Sequence, residues 1–180
     1  MKSHSAPPSD RASNNAARSW GNREHLIEDK TAKLSMSSLR DRVTAAFAGK
    51  NPPPPICLTL GIKLTELGMG SATLEMKVGQ KCYNPMGTVH GGIMTDLADA
   101  CMGIAVISTL EKNETFTTLE LKMNFLRPVF SGRLIATSKI LHRGRTIALS
   151  ESTVMNSEGK LVARAVSTCM ILSTKQPRKH

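Results

Sequence analysis

The residues with the clearest potential for chemistry lie around position 90. His90, Gly91 and Gly92 directly precede a run rich in Leu, Ala, Ile and Met that is predicted to be a buried helix. The first turn of a helix carries free amide N–H groups and the positive end of the helix dipole. Glycine lets a ligand approach that backbone closely, so this helix end could polarise a carbonyl and hold the oxyanion that forms on attack. The alternative is that the Gly-Gly pair only relieves crowding where the helix begins.

Two aspartates follow inside the predicted helix. Asp99 falls two turns into apolar sequence, where an unpaired charge is costly and where burial raises the pKa and the basicity of a carboxylate. We interpret Asp99 as a candidate for chemistry; the alternative is a carboxylate held by a neighbouring hydroxyl or by a subunit interface. Asp96 lies one turn earlier and is expected to be solvated or salt-bridged. His90 could donate a hydrogen bond or act as a base, although capping is the commoner role at a helix start.

Other motifs give weaker signals. The stretch HRGRT, residues 142–146, places Arg143 and Arg145 at a tight turn, where they could grip phosphates or only be solvated. Thr118 belongs to a threonine cluster that offers hydroxyls, although threonine is also a good strand residue. The four cysteines form no C-x-x-C pair, and no metal, P-loop, dinucleotide or nucleophile-elbow motif is present. The sequence therefore predicts no metal site.

The amino-terminal part of the chain divides by composition. Residues 1–33 are polar and without a period, and are predicted to be a mostly disordered leader. Residues 34–52 are predicted to hold a short amphipathic helix, with Ser37 or Ser38 as its cap and Gly49 as its stop, followed by a stiff proline connector. Residues 53–174 form the predicted main domain, and residues 175–180 form a basic tail.

The main domain must position the candidate residues. From Ile56 the pattern predicts two strands, one long helix from about His90 to Leu110, and four more strands. Strands joined by short turns pair antiparallel, and one helix against one sheet is an α+β arrangement. The helix is apolar on nearly every side, so a single curved sheet would cover only part of it and a partner subunit could cover some of the rest.

Composition narrows the function classes. No uninterrupted apolar run is long enough to span a membrane, and the first fifteen residues contain no apolar signal segment, so a cytoplasmic protein is expected. The net charge of +10 is concentrated at the ends: residues 1–52 hold nine Lys and Arg against five Asp and Glu, residues 175–180 add three positive charges, and only +3 remains for the body. The body thus offers no obvious basic face for nucleic acid.

The motif NPMGTVHGG, residues 84–92, with an Asp seven residues after its second Gly and TTLELKMNFLRPV further on, resembles a known family. It is similar to the hotdog-fold acyl-CoA thioesterases of the phenylacetate-pathway type, which are related to 4-hydroxybenzoyl-CoA thioesterases. The resemblance covers roughly residues 53 to 173. It implies an antiparallel sheet wrapped around one long central helix, two subunits joined into a continuous sheet, often a tetramer of two such dimers, and active sites at the dimer interface.

The resemblance also implies residue roles. Asp99 matches the catalytic carboxylate, acting as general base or as nucleophile, and the N–H of Gly91 matches the group that polarises the thioester carbonyl. Asn84 and His90 match residues that orient that carbonyl, and Thr118 matches a hydroxyl that holds the water or the carboxylate. The expected substrate-binding residues are Gly92, Arg143 and Arg145. Sequences of this type usually carry a small or hydroxyl-bearing residue where this chain has Asp96, and a second carboxylate there could raise the pKa of Asp99 or narrow substrate choice.

The leading hypothesis from the sequence is hydrolysis of an acyl-CoA thioester, with an aryl or a short- to medium-chain acyl group, to a free acid and coenzyme A. No metal or bound cofactor is expected, since coenzyme A is part of the substrate, and neither nucleic acid nor membrane is an expected partner. One alternative is a hydratase or dehydratase of the same fold that uses His90 as its base. Another is a non-catalytic acyl-CoA-binding module, and a third is that the basic tails bind nucleic acid or an anionic surface.

Overall fold

The computed structural model describes residues 38–174, which belong to a compact unit that begins at Ser38. The predicted leader and basic tail lie outside the described residues. Two short helices come first, α1 (Leu39–Phe47) and α2 (Pro55–Leu60), and one long helix follows the first two strands, α3 (Gly91–Ser108). The strands are β1 (Lys63–Gly68), β2 (Ser71–Val78), β3 (Glu114–Phe125), β4 (Gly132–Arg143), β5 (Ile147–Asn156) and β6 (Leu161–Ser173).

The six strands form one antiparallel sheet in the order β1-β2-β4-β5-β6-β3. Helix α3 lies across one face of this sheet, and their shared core contains fully buried side chains such as Leu74, Leu97 and Leu134. The predicted α+β arrangement of two strands, one long helix and four strands is confirmed. The sheet leaves two edges, β1 and the twelve-residue strand β3.

The predicted amphipathic helix is confirmed as α1. Ser38 is its N-cap: the Ser38 hydroxyl accepts from the Asp41 N–H at 3.1 Å, and the Asp41 carboxylate accepts from the Ser38 N–H, which completes a capping box. The side-chain hydrogen bond with Ser38 is the main reason why the pKa of Asp41 lies below its usual value, and the bond from the Ser38 N–H lowers it further. Gly49 follows the helix with a φ of 68°, as its predicted role as a stop requires.

The prediction of strand from Ile56 onward is wrong for the first residues, because Pro55–Leu60 forms helix α2. Prolines suggested an extended connector, yet proline is favoured at the first position of a helix, where its missing N–H would have had no partner. Gly61 ends the helix in the left-handed conformation with a φ of 70°. The strands begin only at Lys63.

Helix α3 has two unlike faces. Its buried side chains, which face the sheet, are Met94, Leu97, Ala98, Cys101, Met102, Ala105, Val106 and Ser108. Gly92, Asp96 and Asp99 lie on the opposite face and are exposed. The helix is long and apolar enough to cross a membrane by length and composition alone, but here it is the central helix of the packed core. The open face agrees with the expectation that one sheet covers only part of the helix.

Candidate active site

The start of helix α3 is fixed by a histidine cap. His90 is the N-cap in an extended conformation, and its Nδ1 accepts a hydrogen bond from the Gly92 N–H at 2.9 Å. Because Nδ1 accepts this bond, the proton of the neutral imidazole is on Nε2, which can donate a hydrogen bond. The lone pair on Nδ1, which a base would need, is already used by the Gly92 N–H. The capping interpretation of His90 is therefore confirmed, and Gly92 has its N–H engaged.

The N–H of Gly91 is different. It has no acceptor among the residues that the structure describes, whereas Gly92 donates to His90 and Ile93 donates to the His90 carbonyl. A Cβ atom at Gly91 would come within 2.9 Å of the Phe125 ring, so a larger residue would press on that side chain. One amide at the positive end of an 18-residue helix is thus left free to meet a ligand atom.

Asn84 organises the loop in front of the helix. Its side-chain oxygen accepts from the N–H groups of Met86 and Thr88 at 3.0 and 3.2 Å, and its amide nitrogen donates to the Thr88 hydroxyl at 3.0 Å. Gly87 turns the chain with a φ of 77°. Val89 then donates its N–H to the Val129 carbonyl, which ties the loop to the segment after β3. Most of the hydrogen-bonding capacity of Asn84 therefore holds the loop, and one amide proton remains for a ligand.

A cleft of about 440 Å³ opens beside the free amide; we call it the Gly91 cleft. It is lined by Asn84, Met86, Thr88, Val89, Gly91, Met94, Phe125, Leu126, Arg127 and Pro128. Its walls are mainly apolar, and Asn84 and Gly91 contribute hydrogen-bonding groups. Such a cleft is suited to a largely apolar ligand that presents one carbonyl to the helix end.

A second cleft of about 260 Å³, the His90 cleft, lies on the other side of the helix start. It is lined by Lys81, Cys82, Tyr83, His90, Gly92, Ile93 and Asp96. The predicted site residues at the helix start therefore fall into two groups. Gly91 and Asn84 line the Gly91 cleft, and His90 and Gly92 line the His90 cleft. Asp99 lines neither of them.

The expectation of a buried Asp99 is wrong for the single chain. Successive helix residues turn by about 100°, so Asp99 shares the open face of α3 with Gly92 and Asp96, away from the sheet. Nearby protein still withdraws enough water from the Asp99 carboxylate to raise its pKa, and the negative charge of Asp96 raises it further. Of the two effects considered for Asp96, the raised pKa of Asp99 is therefore present in the predicted direction. Asp96 itself is exposed, as expected, and has no ion-pair partner within residues 38–174.

Strand β3 crosses the helix with its inward-facing side chains. The Phe125 ring lies against Gly91, and the Phe116 ring lies near Gly103, 3.4 Å from where a Cβ would be. Thr118 is on the same side of the strand as Phe116, and its hydroxyl lies 3.8 Å from the Cys169 thiol. Since β3 runs from the far end of α3 towards its start, Thr118 lies towards the middle of the helix, where Asp99 is.

Within one chain, Gly91 and Asp99 are too far apart to share a reacting carbonyl. Eight residues of α-helix separate them, a rise of about 12 Å along the axis, whereas a water between a base and a carbonyl spans only about 6 Å. The free amide and the carboxylate of a single chain therefore cannot act on the same carbonyl. A site that contains both requires a second subunit.

Comparison with known proteins decides the family. A model of the thioesterase superfamily matches residues 86–163. A predicted esterase of Saccharolobus solfataricus is 32% identical over 120 residues, which cover 67% of this chain and 85% of the relative. This chain belongs to the thioesterase superfamily. It is similar to the 1,4-dihydroxy-2-naphthoyl-CoA hydrolase of Listeria monocytogenes, with 29% identity over 67% of this chain and 96% of the relative.

Solved structures agree with this assignment. A predicted thioesterase of Ralstonia eutropha JMP134, described as related to phenylacetic acid degradation, superposes with a TM-score of 0.67 at 30% identity, covering 72% of this chain and 98% of that structure. The fold is the hotdog fold, and the resemblance inferred from the NPMGTVHGG motif is confirmed. The chain is an enzyme of the thioester-hydrolase class.

The two arginines predicted to bind substrate lie far from Gly91 in this thioesterase. Arg143 donates to the Glu114 carboxylate at 2.6 Å and to the Gly144 carbonyl, so its guanidinium is bound within the chain. Arg145 is exposed. Both lie near the C-terminal end of α3. Ile140, on the same strand as Arg143, donates its N–H to the Gly70 carbonyl, and the Gly70 N–H donates to the hydroxyl of Ser108, the last residue of α3. A single chain therefore does not bring Arg143 or Arg145 to the free amide.

Residues that line the Gly91 cleft were largely missed by sequence reasoning. Phe125, Leu126 and Arg127 lie where β3 ends, and nothing in their spacing says that this end meets the start of α3. The only sequence signal for this end of β3 is that Arg127 follows an apolar strand and directly precedes Pro128. Among residues 38–174, no group of three His, Cys, Asp or Glu side chains is placed to hold a metal ion.

Proposed function

We propose that this thioesterase hydrolyses acyl-CoA thioesters at a site shared by two subunits. The free N–H of Gly91 in one subunit polarises the thioester carbonyl, and Asp99 of a second subunit is the catalytic carboxylate. The observation that carries the proposal is that one chain presents both groups, each unengaged and exposed to a ligand, about 12 Å apart along one helix. Two helices related by a twofold axis could bring the Gly91 of each next to the Asp99 of the other.

An unpaired sheet edge supports the proposal of a shared site. Strand β3 is a twelve-residue edge strand, and Leu119 and Phe125 on it are 53% and 52% exposed. A long edge with exposed apolar side chains is an aggregation hazard unless another strand covers it. Pairing of β3 with the β3 of a second subunit would extend the sheet and bring two copies of the open face of α3 together. Exposed Val166, Met170 and Leu172 on the outer sheet face favour a tetramer of two such dimers.

In the general-base version of the reaction, water adds to the carbonyl carbon while Asp99 removes its proton. The negative charge that develops on the carbonyl oxygen is held by the Gly91 N–H, with the remaining amide proton of Asn84 in the same cleft. His90 lines the other cleft and contributes by capping the start of the helix. The tetrahedral intermediate then collapses with cleavage of the C–S bond. The coenzyme A thiolate leaves and takes up the proton from Asp99.

In the nucleophilic version, the Asp99 carboxylate attacks the carbonyl, expels the thiolate and forms an anhydride that water hydrolyses. Thr118 would serve either version by holding the water or the carboxylate. This role is supported by its position on β3 between Phe116, which lies near Gly103, and Phe125, which lies near Gly91. The raised pKa of Asp99 increases its basicity and suits the first version.

Several features support the substrate class and the setting. The relatives include proteins named 1,4-dihydroxy-2-naphthoyl-CoA hydrolase and acyl-coenzyme A thioesterase 13, and the mainly apolar Gly91 cleft suits an aryl or a short- to medium-chain acyl group. Coenzyme A enters as part of the substrate, with no separate cofactor. A cytoplasmic location remains a prediction from the sequence. Arg145, if it contacts coenzyme A, would do so from another subunit.

The test compares Asp99→Asn with wild type by following free thiol release from hexanoyl-CoA and benzoyl-CoA. We expect kcat/KM to fall by about a hundredfold or more, because the amide neither accepts the proton nor attacks. Folding raises the pKa of Asp99, so the charged carboxylate is disfavoured in the folded chain and the neutral amide should not lower the melting temperature. Equal hydrolysis by both proteins would show that Asp99 is not the catalytic carboxylate.

A further inference from the structure

Arg127 is a cation fixed at the rim of the Gly91 cleft. It follows β3 and lines the cleft together with Phe125 and Leu126. One of its terminal nitrogens donates to the Leu161 carbonyl at 2.5 Å, and its backbone N–H donates to the Val162 carbonyl at 3.2 Å. The guanidinium is thus held in place by one bond, and its other N–H groups remain available.

Arg127 differs from the arginines of the neighbouring strands. Arg133 pairs with Glu75, Arg143 with Glu114 and Arg164 with Glu151, at distances between 2.5 and 3.2 Å. Within residues 38–174 no carboxylate lies within ion-pair distance of Arg127, and no acidic side chain lines the Gly91 cleft. A fixed arginine without an acidic partner, beside apolar walls, is a ready site for an anion from outside the chain.

We propose that Arg127 is a specificity-determining residue that binds an anionic oxygen group of the substrate in the Gly91 cleft, and this proposal rests on the function proposed above. The planar guanidinium fork matches both carboxylate and phosphate oxygens. The anion has two possible sources: a carboxylate at the far end of the acyl group, or a phosphate of coenzyme A. In either case the contact holds the substrate while its carbonyl meets the Gly91 N–H.

The experiment uses Arg127→Gln and Arg127→Lys, with Arg40→Gln as the control. Arg40 is exposed on α1, away from both clefts, and its replacement removes the same unit of charge. Three substrates of equal chain length separate the sources: hexanoyl-CoA, adipyl-CoA, which adds a carboxylate, and hexanoyl-N-acetylcysteamine, which has no phosphate. The matching non-hydrolysable thioethers are titrated in parallel by calorimetry.

A charged hydrogen bond of this kind corresponds to a loss of about tenfold or more in kcat/KM and in thioether affinity. A loss by Arg127→Gln with both coenzyme A substrates but not with the N-acetylcysteamine substrate assigns the site to phosphate. A loss confined to adipyl-CoA assigns it to the acyl carboxylate. Unchanged values for all three ligands, or an equal loss in Arg40→Gln, overturn the proposal. Wild type that binds the thioethers but hydrolyses no thioester would instead refute the proposed function, and the calorimetric comparison would still decide the role of Arg127.

Discussion

Replacing Gly91 with proline removes one N–H group while helix α3 can still begin at the same residue. Proline is favoured at the first helical position. The residue before a proline must be extended, and His90 already is, with φ −60° and ψ 135°. The Gly91 N–H has no acceptor among the described residues, so its loss breaks no bond of the folded chain. The cap between His90 and Gly92 also remains.

Gly91→Ala is the matched control. Both variants add a Cβ that would meet the Phe125 ring at 2.9 Å, but alanine keeps the N–H. The contact atom is the far end of the Phe125 side chain, and Phe125 is 52% exposed, so the ring can move aside at small cost. The difference in kcat/KM between the two variants therefore reports the effect of the Gly91 N–H, together with that of the extra volume of the proline ring. Loss of one donor to an oxyanion costs about a hundredfold to a thousandfold in rate.

The assay is free thiol release at saturating and subsaturating acyl-CoA, with melting temperatures as a check on folding. We expect Gly91→Ala to keep much of the wild-type kcat/KM and Gly91→Pro to fall below Gly91→Ala by about a hundredfold or more. If the proline variant is folded and its kcat/KM lies within about threefold of the alanine variant, the N–H of Gly91 does not hold the oxyanion, since loss of such a donor costs far more.

Two further predictions concern the open face of α3 and the sheet edge. Because Asp96 raises the pKa of Asp99, Asp96→Asn should move the acid limb of the kcat/KM–pH profile to lower pH. Glu158→Gln, which removes an exposed charge that does not contribute to the pKa of Asp99, should leave the acid limb in place. An unmoved acid limb in Asp96→Asn would mean that Asp99 does not govern it. Leu119→Glu on edge strand β3 should weaken the association of subunits by about tenfold or more. Sedimentation should then show smaller species, and the activity per chain should fall on dilution. An unchanged mass would mean that the interface lies elsewhere.

Most of the fold could be predicted from local sequence patterns. Such patterns predict the Ser38 cap, the Gly49 stop and the order of the elements along the chain, and the tertiary structure does not override them. Helix α2 was missed because four prolines resemble an extended connector, although the last of them is also a favourable first residue of a helix. The boundaries of α3 were close, since His90 caps the helix that was predicted to begin there.

The site was less accessible to sequence reasoning. Apolar neighbours along the chain suggested a buried Asp99, but burial depends on which helix face the sheet covers, and that face is set by tertiary packing. Arg143 looked available at a tight turn, whereas Glu114 reaches it from the start of another strand. Arg127 was overlooked because only the fold brings the end of β3 to the start of α3.

The central claim is that Gly91 of one subunit and Asp99 of another form each active site, and a mixture of two inactive variants tests it directly. Asp99→Asn and Gly91→Pro are unfolded together, refolded together and assayed for thiol release. In a shared site, half of the dimers are mixed and each contains one intact site, so activity should return to about a quarter of wild type. A site built within one chain has no intact copy in any mixed dimer, and a mixture that stays as inactive as its parents would contradict the account.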